Sequence, residues 1–177
     1  MPTMTYSATH RRDVEGFIER DGRRFAWWLE HDSGYGTPWD NDDGHGPVSE
    51  WTRRDKRPGE MVLACDRHSR RFYDFAEAVR IAKADGWDAP PYGHGSAGQR
   101  AHRAAMADFR RLRDWCNDRW NYVGVCVQEV EDESAVGPVE SLWGIESDAD
   151  DYLRETAEEL VAKLLTVIRA SEGGTPR

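Results

Sequence analysis

The stretch from Asn121 to Leu165 reads NYVGVCVQEV (121–130), EDESAVGP (131–138), VESLWGIES (139–147) and DADDYLRETAEELVAKLL (148–165). Val123, Val125 and Val127 alternate with residues that point the other way, and this period of two predicts a strand. The polar segment that follows contains Gly and Pro and leads into a second apolar run. Two strands joined by a short polar loop predict an antiparallel hairpin.

A helix over 148–169 is predicted directly after this hairpin. Ser147 and Asp150 form the Ser-x-x-acid pattern of a helix start, in which side chains accept hydrogen bonds from the first free backbone N–H groups. Leu, Ala and Ile recur at helical spacing along the segment and form a single apolar stripe. Because the hairpin and the helix each have one apolar face, packing the helix on the sheet buries both.

The chain before this stretch predicts a second hairpin and two more helices. The hairpin spans 14–32 and turns at Asp21-Gly22, a dipeptide that suits a type I′ turn. Helices are predicted near 74–85 and 99–119 from apolar residues at helical spacing. We therefore expect an α+β fold, in which a mostly antiparallel sheet of four to six strands packs against three helices.

Length and composition predict one domain with short appendages. The chain has 177 residues, of which 38% are hydrophobic, including eight Trp, and this is enough for one core. We expect a flexible arm over 1–12, a single α+β domain over 13–170 and a disordered tail over 171–177. No apolar run approaches the ~20 residues that span a bilayer, and the first residues lack the apolar core of a signal peptide. A cytoplasmic protein without membrane contact is the expectation.

Acidic side chains are concentrated in the last third of the chain. Residues 129–159 contain 12 Asp/Glu and one Arg, and the whole chain has a net charge of −9. The predicted partner-binding set is Glu129, Glu131, Asp132, Glu133, Asp148, Asp150, Asp151 and Glu155. If these residues share a face, they present carboxylates to a basic protein much as nucleic acid presents phosphates. The alternative is that they serve solubility and helix capping.

The predicted helix over 99–119 carries a second candidate site. Four arginines cluster opposite its apolar stripe at ~100° per residue, and they are Arg100, Arg103, Arg110 and Arg111. Residues 51–120 contain 15 Lys/Arg and 10 Asp/Glu, so a local nucleic-acid-binding surface is the alternative to the acidic one. No aromatic residues interleave with these arginines, which weakens a single-strand-binding interpretation. The arginines can instead pair with the acidic segment or with a second subunit.

Residues 33–51, SGYGTPWDNDDGHGPVSEW, form a third candidate site. A loop of this length in a small domain is usually functional or held down by its own aromatic residues. Asp42, Asp43 and His45, near Trp39, are the residues on which an enzyme or ligand-binding site is centred in this interpretation. The spacing of the aspartates does not match a calcium-binding loop. The alternative is a glycine-rich loop held by its own tryptophans.

The sequence contains no local motif of a known catalytic chemistry. It has neither a GxxxxGK nor a GxGxxG glycine loop and no GxSxG nucleophile elbow, and Cys65-x-x-His68 supplies only two possible zinc ligands. We predict no catalytic residue, no metal and no cofactor. An enzyme whose catalytic residues are scattered needs no local motif, so this alternative stays open.

Three stretches together resemble a group of small uncharacterised proteins encoded by tailed phages and prophages. They are PWDNDDGHGPVSEW (38–51), RFYDFAEAVRIAKADGW (71–87) and SLWGIESDADDYLRETAEEL (141–160). The resemblance covers about residues 14–168 and implies expression in the cytosol of an infected bacterium. The group has no established activity, so no functional residue is carried over from it.

Phage context and acidic charge together predict a non-enzymatic binding protein. Its partner would be a host protein with a basic nucleic-acid-binding channel, and its effect would be to inhibit a nucleic-acid-targeting defence such as CRISPR interference or restriction. The sequence predicts no oligomeric state.

Overall fold

A computed structural model describes residues 13–41, 43–87 and 94–172. In chain order the elements are the strands β1 (Gly16–Arg20) and β2 (Arg23–His31), the helix α1 (Pro38–Asn41), the strands β3 (Glu60–Cys65) and β4 (Arg70–Asp74), the helices α2 (Phe75–Asp85) and α3 (Ala97–Cys116), the strands β5 (Tyr122–Glu131) and β6 (Ser134–Glu146), and the helix α4 (Asp150–Glu172). The strands form one antiparallel sheet of four and one of two. The predicted α+β class is confirmed.

The chain divides into two compact units. The first contains the residues up to Tyr35 and those from Asn121 onward, and the second contains residues 36–120. The prediction of one domain over 13–170 stays a prediction. The predicted arm over 1–12 lies outside the described residues, as does 173–177 of the predicted tail, whereas Ser171 and Glu172 belong to α4.

The first unit is a four-stranded antiparallel sheet, in the order β1-β2-β5-β6, with α4 on one face. Val123, Val125 and Val127 point to that face, as their alternation predicts, and are buried against Leu160 and Leu164 of the helix stripe. Complete burial of a side chain of this size stabilises a fold by roughly 1.5–3 kcal/mol. The contact between helix and sheet therefore forms the buried core of this unit.

The turn between β5 and β6 is tighter than the sequence predicts. A loop is expected over 131–138, but only Asp132 and Glu133 form the turn, with φ angles of 46° and 63°. Two successive positive φ angles are typical of a type I′ turn, whose twist matches that of the paired strands. Asp21 and Gly22 have φ angles of 54° and 74°, so the turn predicted between β1 and β2 is confirmed.

β6 is an edge strand that contains two irregularities. One lies opposite Gln128 and Glu129 and includes Gly137, with a φ of 68°. The other lies opposite the segment 123–125 and includes Gly144, with a φ of 79°. Bulges of this kind bend a strand and interrupt the row of backbone groups with which another chain could pair.

The helix α4 begins two residues later than predicted, and the role expected for Ser147 is wrong. Its hydroxyl accepts a hydrogen bond from the backbone N–H of Asn121 at 3.0 Å. The first turn is formed instead by Tyr152 and Leu153, whose N–H groups donate to the carbonyl of Ala149. The Ser147 side chain therefore binds the backbone just before β5 and does not cap the helix, although the local pattern predicts that it does.

The second unit packs the helices α2 and α3 on the β3–β4 pair. Asp74 caps α2 as predicted, since its carboxylate accepts a hydrogen bond from Glu77 N–H at 3.0 Å, and Gly86 ends the helix with a φ of 70°. Ser96 and Gln99 form a reciprocal capping box at the start of α3. This cap places the first helical residue two positions before the predicted one. The buried core contains Leu63, Tyr73, Ala78, Ala105, Phe109 and Leu112.

Glu60 holds the loop that precedes β3. Its carboxylate accepts hydrogen bonds from Arg54 at 2.5 and 2.7 Å and from Arg57 N–H at 2.7 Å. The hydrogen bond from Arg54 is the largest cause that lowers the pKa of Glu60, from a usual value near 4.5 to about 2. The stabilisation by this carboxylate is therefore fully present above pH ~4.5 and is lost as the pH falls towards 2.

The free energy of unfolding is expected to fall from pH 5 to pH 2 more steeply in the parent than in Glu60→Gln. Urea denaturation at half-unit pH steps measures this slope. The control is Glu50→Gln, because Glu50 is exposed and its carboxylate makes no described ion pair. A parent slope that survives in Glu60→Gln would show that other carboxylates dominate the acid response.

Candidate protein-binding site

The acidic charge of the protein lies on the first unit. Residues 1–35 and 121–177 contain 9 Lys/Arg and 19 Asp/Glu, a net charge of −10. Residues 36–120 contain 15 Lys/Arg and 14 Asp/Glu, a net charge of +1. A cationic partner is therefore attracted to the first unit.

The predicted acidic set is divided between the two ends of the β5–β6 hairpin. One group at the turn contains Glu131, Asp132 and Glu133, and the other, around the start of α4, contains Asp148, Asp150, Asp151 and Glu155; all seven are exposed. β5 has ten residues, so the hairpin separates the two groups by roughly 30 Å at 3.3 Å per residue. These residues do not form one continuous acidic face.

Glu129, the eighth member of the set, is buried. Its carboxylate accepts a hydrogen bond from Arg23 at 2.8 Å, and Arg23 also donates to Glu172 at 2.5 Å. The hydrogen bond with Glu129 is the largest cause that raises the pKa of Arg23. Because its carboxylate is buried in this internal ion pair, Glu129 cannot contact a partner protein. The prediction of Glu129 as a partner-binding residue is therefore not supported.

A groove of about 420 Å³ lies where the end of β6 meets the start of α4. Its lining residues are Leu142, Trp143, Gly144, Ile145, Glu146, Ala149 and Tyr152. The volume falls in the usual range of roughly 300–1,000 Å³ for ligand pockets. Three large side chains of the groove stay exposed, at 44% for Leu142, 46% for Trp143 and 54% for Tyr152.

The indole of Trp143 is held in one orientation although almost half of it is exposed. It lies over Gly124 of β5, where a Cβ atom would be only 2.5 Å from the ring. Its Nε1–H donates to Ser141 Oγ at 3.0 Å, and the next residue, Gly144, donates its N–H to Asp32 Oδ2 at 3.1 Å. A side chain that is already ordered loses little conformational entropy when a partner binds.

The side of α4 that borders the groove is acidic. Lys163 donates to Glu140 of β6 at 2.6 Å, which places its side of the helix towards the sheet edge. Tyr152, Glu155 and Glu159 lie eleven, eight and four positions earlier, at spacings that share this side. The exposed aromatic residues of the groove are thus bordered by carboxylates.

The arginines predicted as a nucleic-acid-binding face do share one side of α3, but most are engaged within the protein. Arg100 donates to a carbonyl of the preceding loop at 2.7 Å, and Arg103 donates to another. The guanidinium of Arg111 stacks 3.8 Å from the centre of the Trp120 ring. Arg110 is exposed. These contacts reduce the number of guanidinium groups on this face that are available to bind phosphates.

The third predicted site has a partner that the sequence interpretation missed. His45 Nδ1 lies 2.5 Å from Asp108 Oδ1, and Asp108 Oδ2 accepts hydrogen bonds from Gly46 N–H at 2.8 Å and Tyr73 O–H at 2.6 Å. Burial, and then the hydrogen bond to Asp108, raise the pKa of Tyr73 well above its usual value. The buried carboxylate therefore holds the loop against α3.

Neither Asp43 nor Trp39 is among the hydrogen-bond partners of Asp108. Asp43 is exposed, and Asp42 lies outside the described residues. The sequence did contain a signal for these hydrogen bonds, because Asp108 is a charged residue within the apolar stripe of α3, between Ala105 and Leu112. Within the described ranges, no group of three or more His, Cys, Asp or Glu residues is placed to hold a metal ion.

Comparison with known proteins gives no family for this chain. It matches no protein-family model, and no curated protein or solved structure is significantly similar to it. The resemblance to phage-encoded proteins stays a prediction. Of the helices described, none combines the length and apolar character needed to cross a bilayer.

Proposed function

We propose that this protein is a non-enzymatic binding protein that holds a basic segment of a partner protein in the groove between β6 and α4. The observation that carries the proposal is the pair of exposed aromatic residues, Trp143 and Tyr152, bordered by carboxylates on a unit with a net charge of −10. Protein interfaces commonly combine an apolar anchor with a polar rim. An apolar side chain of the partner fills the groove, and flanking Lys or Arg residues face the carboxylates.

Aromatic and acidic residues contribute differently to this binding. Trp and Tyr are enriched among interface residues whose truncation costs about 2 kcal/mol or more. Exposed ion pairs contribute roughly 0.2–1 kcal/mol each, and their larger effect is on encounter rate and on the choice of partner. Removal of Trp143 should therefore weaken binding more than removal of any single carboxylate.

The proposal narrows the predicted acidic surface to one end of the hairpin. Imitation of an extended phosphate backbone requires both acidic groups on one surface, and the hairpin separates them. A short basic segment needs only the group around the start of α4. A host protein with a basic nucleic-acid-binding channel remains one such partner, and inhibition would follow where the bound segment lines that channel.

The first test is selection from a random peptide-display library on the immobilised full-length protein. Selected peptides are expected to contain one large apolar residue flanked by Lys or Arg. Trp143→Ala should raise the Kd of a selected peptide about 30-fold, which corresponds to about 2 kcal/mol. Enrichment of peptides without basic residues would contradict the proposal.

Two sets of substitutions that remove negative charge then test the location of the site. The first set is Asp148→Asn, Asp150→Asn, Asp151→Asn and Glu155→Gln, and the matched set at the opposite end is Glu131→Gln, Asp132→Asn and Glu133→Gln. The first is expected to weaken peptide binding about tenfold, while the second leaves the Kd within about twofold. Equal effects of the two sets would mean that only the overall charge attracts the peptide.

A further inference from the structure

Arg71 of β4 lies between two tryptophan side chains in the second unit. Its Cζ atom is 4.8 Å from the centre of the Trp39 ring and 5.2 Å from that of Trp51. Its Nε atom is buried without a hydrogen-bond partner, and no carboxylate among the described residues forms an ion pair with it. The indoles orient this guanidinium, but they do not neutralise its charge. Arg71 as a whole is only partly buried, so this oriented cation without a carboxylate partner is suited to an anionic ligand.

More arginines adjoin this cluster through the backbone. Thr52 and Arg70 form an antiparallel bridge with hydrogen bonds of 2.9 and 2.8 Å, so the residues on both sides of Thr52 lie beside β4. Side chains alternate along paired strands, so Trp51 and Arg53 point to the same face as Arg71, whereas Arg70 points to the opposite face with Thr52. The β3–β4 turn carries Arg67. We call this surface the Trp51 patch, and it consists of Trp51, Arg53, Arg67 and Arg71.

The cations of the Trp51 patch are available to a ligand. Arg53 and Arg67 are exposed, and within the described part of the chain no carboxylate pairs with them. Asp66, the acidic residue of the β3–β4 turn, accepts hydrogen bonds from His68 N–H and from Ser69. These bonds direct its carboxylate into the turn.

Trp51 adds an aromatic face to these cations. Its side chain is 45% exposed, although Arg71 contacts its ring. Every nucleobase has a face that can stack on an indole, and a base is free to do so only when it is unpaired. Arginine guanidinium groups suit phosphate oxygens, with which they form paired hydrogen bonds.

We propose that the Trp51 patch binds single-stranded nucleic acid, with a base on Trp51 and the flanking phosphates on the arginines. This activity goes beyond the proposed peptide-binding function and uses residues of the other unit. It also differs from the predicted arginine face of α3, where three of the four side chains contact the protein itself.

The test is fluorescence anisotropy with labelled 12-nucleotide single strands of DNA and of RNA, titrated with the full-length protein at low salt. Binding is expected, with a log–log salt slope of about −2 for three phosphate contacts at roughly −0.7 each. A duplex of the same sequence should compete more weakly, since its bases are paired. The ratio of the two single-strand affinities shows whether DNA or RNA is preferred.

Substitutions locate the binding surface. Trp51→Ala is expected to weaken binding about five- to hundredfold, whereas Trp51→Phe, which keeps an aromatic face, restores most of the affinity. Arg53→Glu should weaken binding about tenfold or more, while the charge-matched Arg110→Glu on α3 leaves the affinity within about twofold. Trp51 and Arg53 are exposed, so these variants are expected to keep the parent circular-dichroism spectrum.

Three results would overturn the proposal. They are no anisotropy change with either single strand at 50 mM salt, binding that Trp51→Ala leaves unchanged, and an equal loss in Arg53→Glu and Arg110→Glu. The last result would assign the binding to overall charge or to the predicted face of α3.

Discussion

Asp108→Ala is expected to lower the free energy of unfolding by about 3–5 kcal/mol. The buried carboxylate of Asp108 accepts hydrogen bonds from Gly46 and Tyr73 and pairs with His45 at 2.5 Å. Alanine has no acceptor, so the buried Gly46 N–H group is left unsatisfied, the buried Tyr73 O–H group loses its hydrogen bond to the carboxylate, and the negative charge opposite His45 is lost.

Urea denaturation followed by tryptophan fluorescence measures this loss. Asp114→Ala is the matched control on the same helix, because the Asp114 side chain is 37% exposed and pairs with Arg119 at 3.1 Å. A surface pair of this kind contributes roughly 0–1 kcal/mol. Equal stability of the two variants would show that Asp108 does not hold the loop against α3.

Leu164→Ala is expected to destabilise the first unit by about 3 kcal/mol, within the range of 2–5 kcal/mol for a buried leucine. Leu164 is completely buried in the contact between α4 and the sheet. Truncation removes apolar contact and leaves a cavity that the valines of β5 fill only in part. Val167→Ala is the control, since Val167 is 46% exposed on the same helix, and its effect should stay within ~0.5 kcal/mol. Equal losses would mean that the two positions are packed alike.

The two stability variants together test the predicted single domain. Asp108 belongs to the second unit and Leu164 to the first. If residues 13–170 unfold as one domain, each variant shifts the same single transition. Two transitions, each shifted by only one of the variants, would mean that the units unfold separately.

Most of the regular structure could be predicted because its signals are local. Asp21-Gly22 suits a turn with two positive φ angles, and the alternating valines of β5 identify the face that α4 covers. Ser147 was misassigned because its hydroxyl bonds to Asn121, 26 residues away, and not to its own helix. The expected loop over 131–138 is largely strand, since pairing with β5 extends β6 back to Ser134.

The candidate sites could be predicted less well, because their residues meet across the fold. The acidic residues were identified by composition, but the length of the hairpin decides that only one group borders the groove. The groove itself depends on where Trp143 and Tyr152 lie, and neither the apolar run of β6 nor the stripe of α4 indicated that these two side chains remain exposed. In the sequence, Trp51 was visible only as the last residue of the third candidate site, and the arginines of the Trp51 patch only as part of the basic excess over 51–120.

By itself the sequence determined the fold class, the two hairpins, the three long helices and the excess of acid in the last third of the chain. These features follow from side-chain direction and backbone preference within a few residues, where the geometry of a strand or helix leaves little freedom. Only the tertiary structure decided that His45 meets Asp108, 63 residues away, that Glu129 is buried beside Arg23, and that Trp51 contacts Arg71. Such contacts depend on sheet order and strand register, which are set by the packing of the whole unit and not by any local pattern.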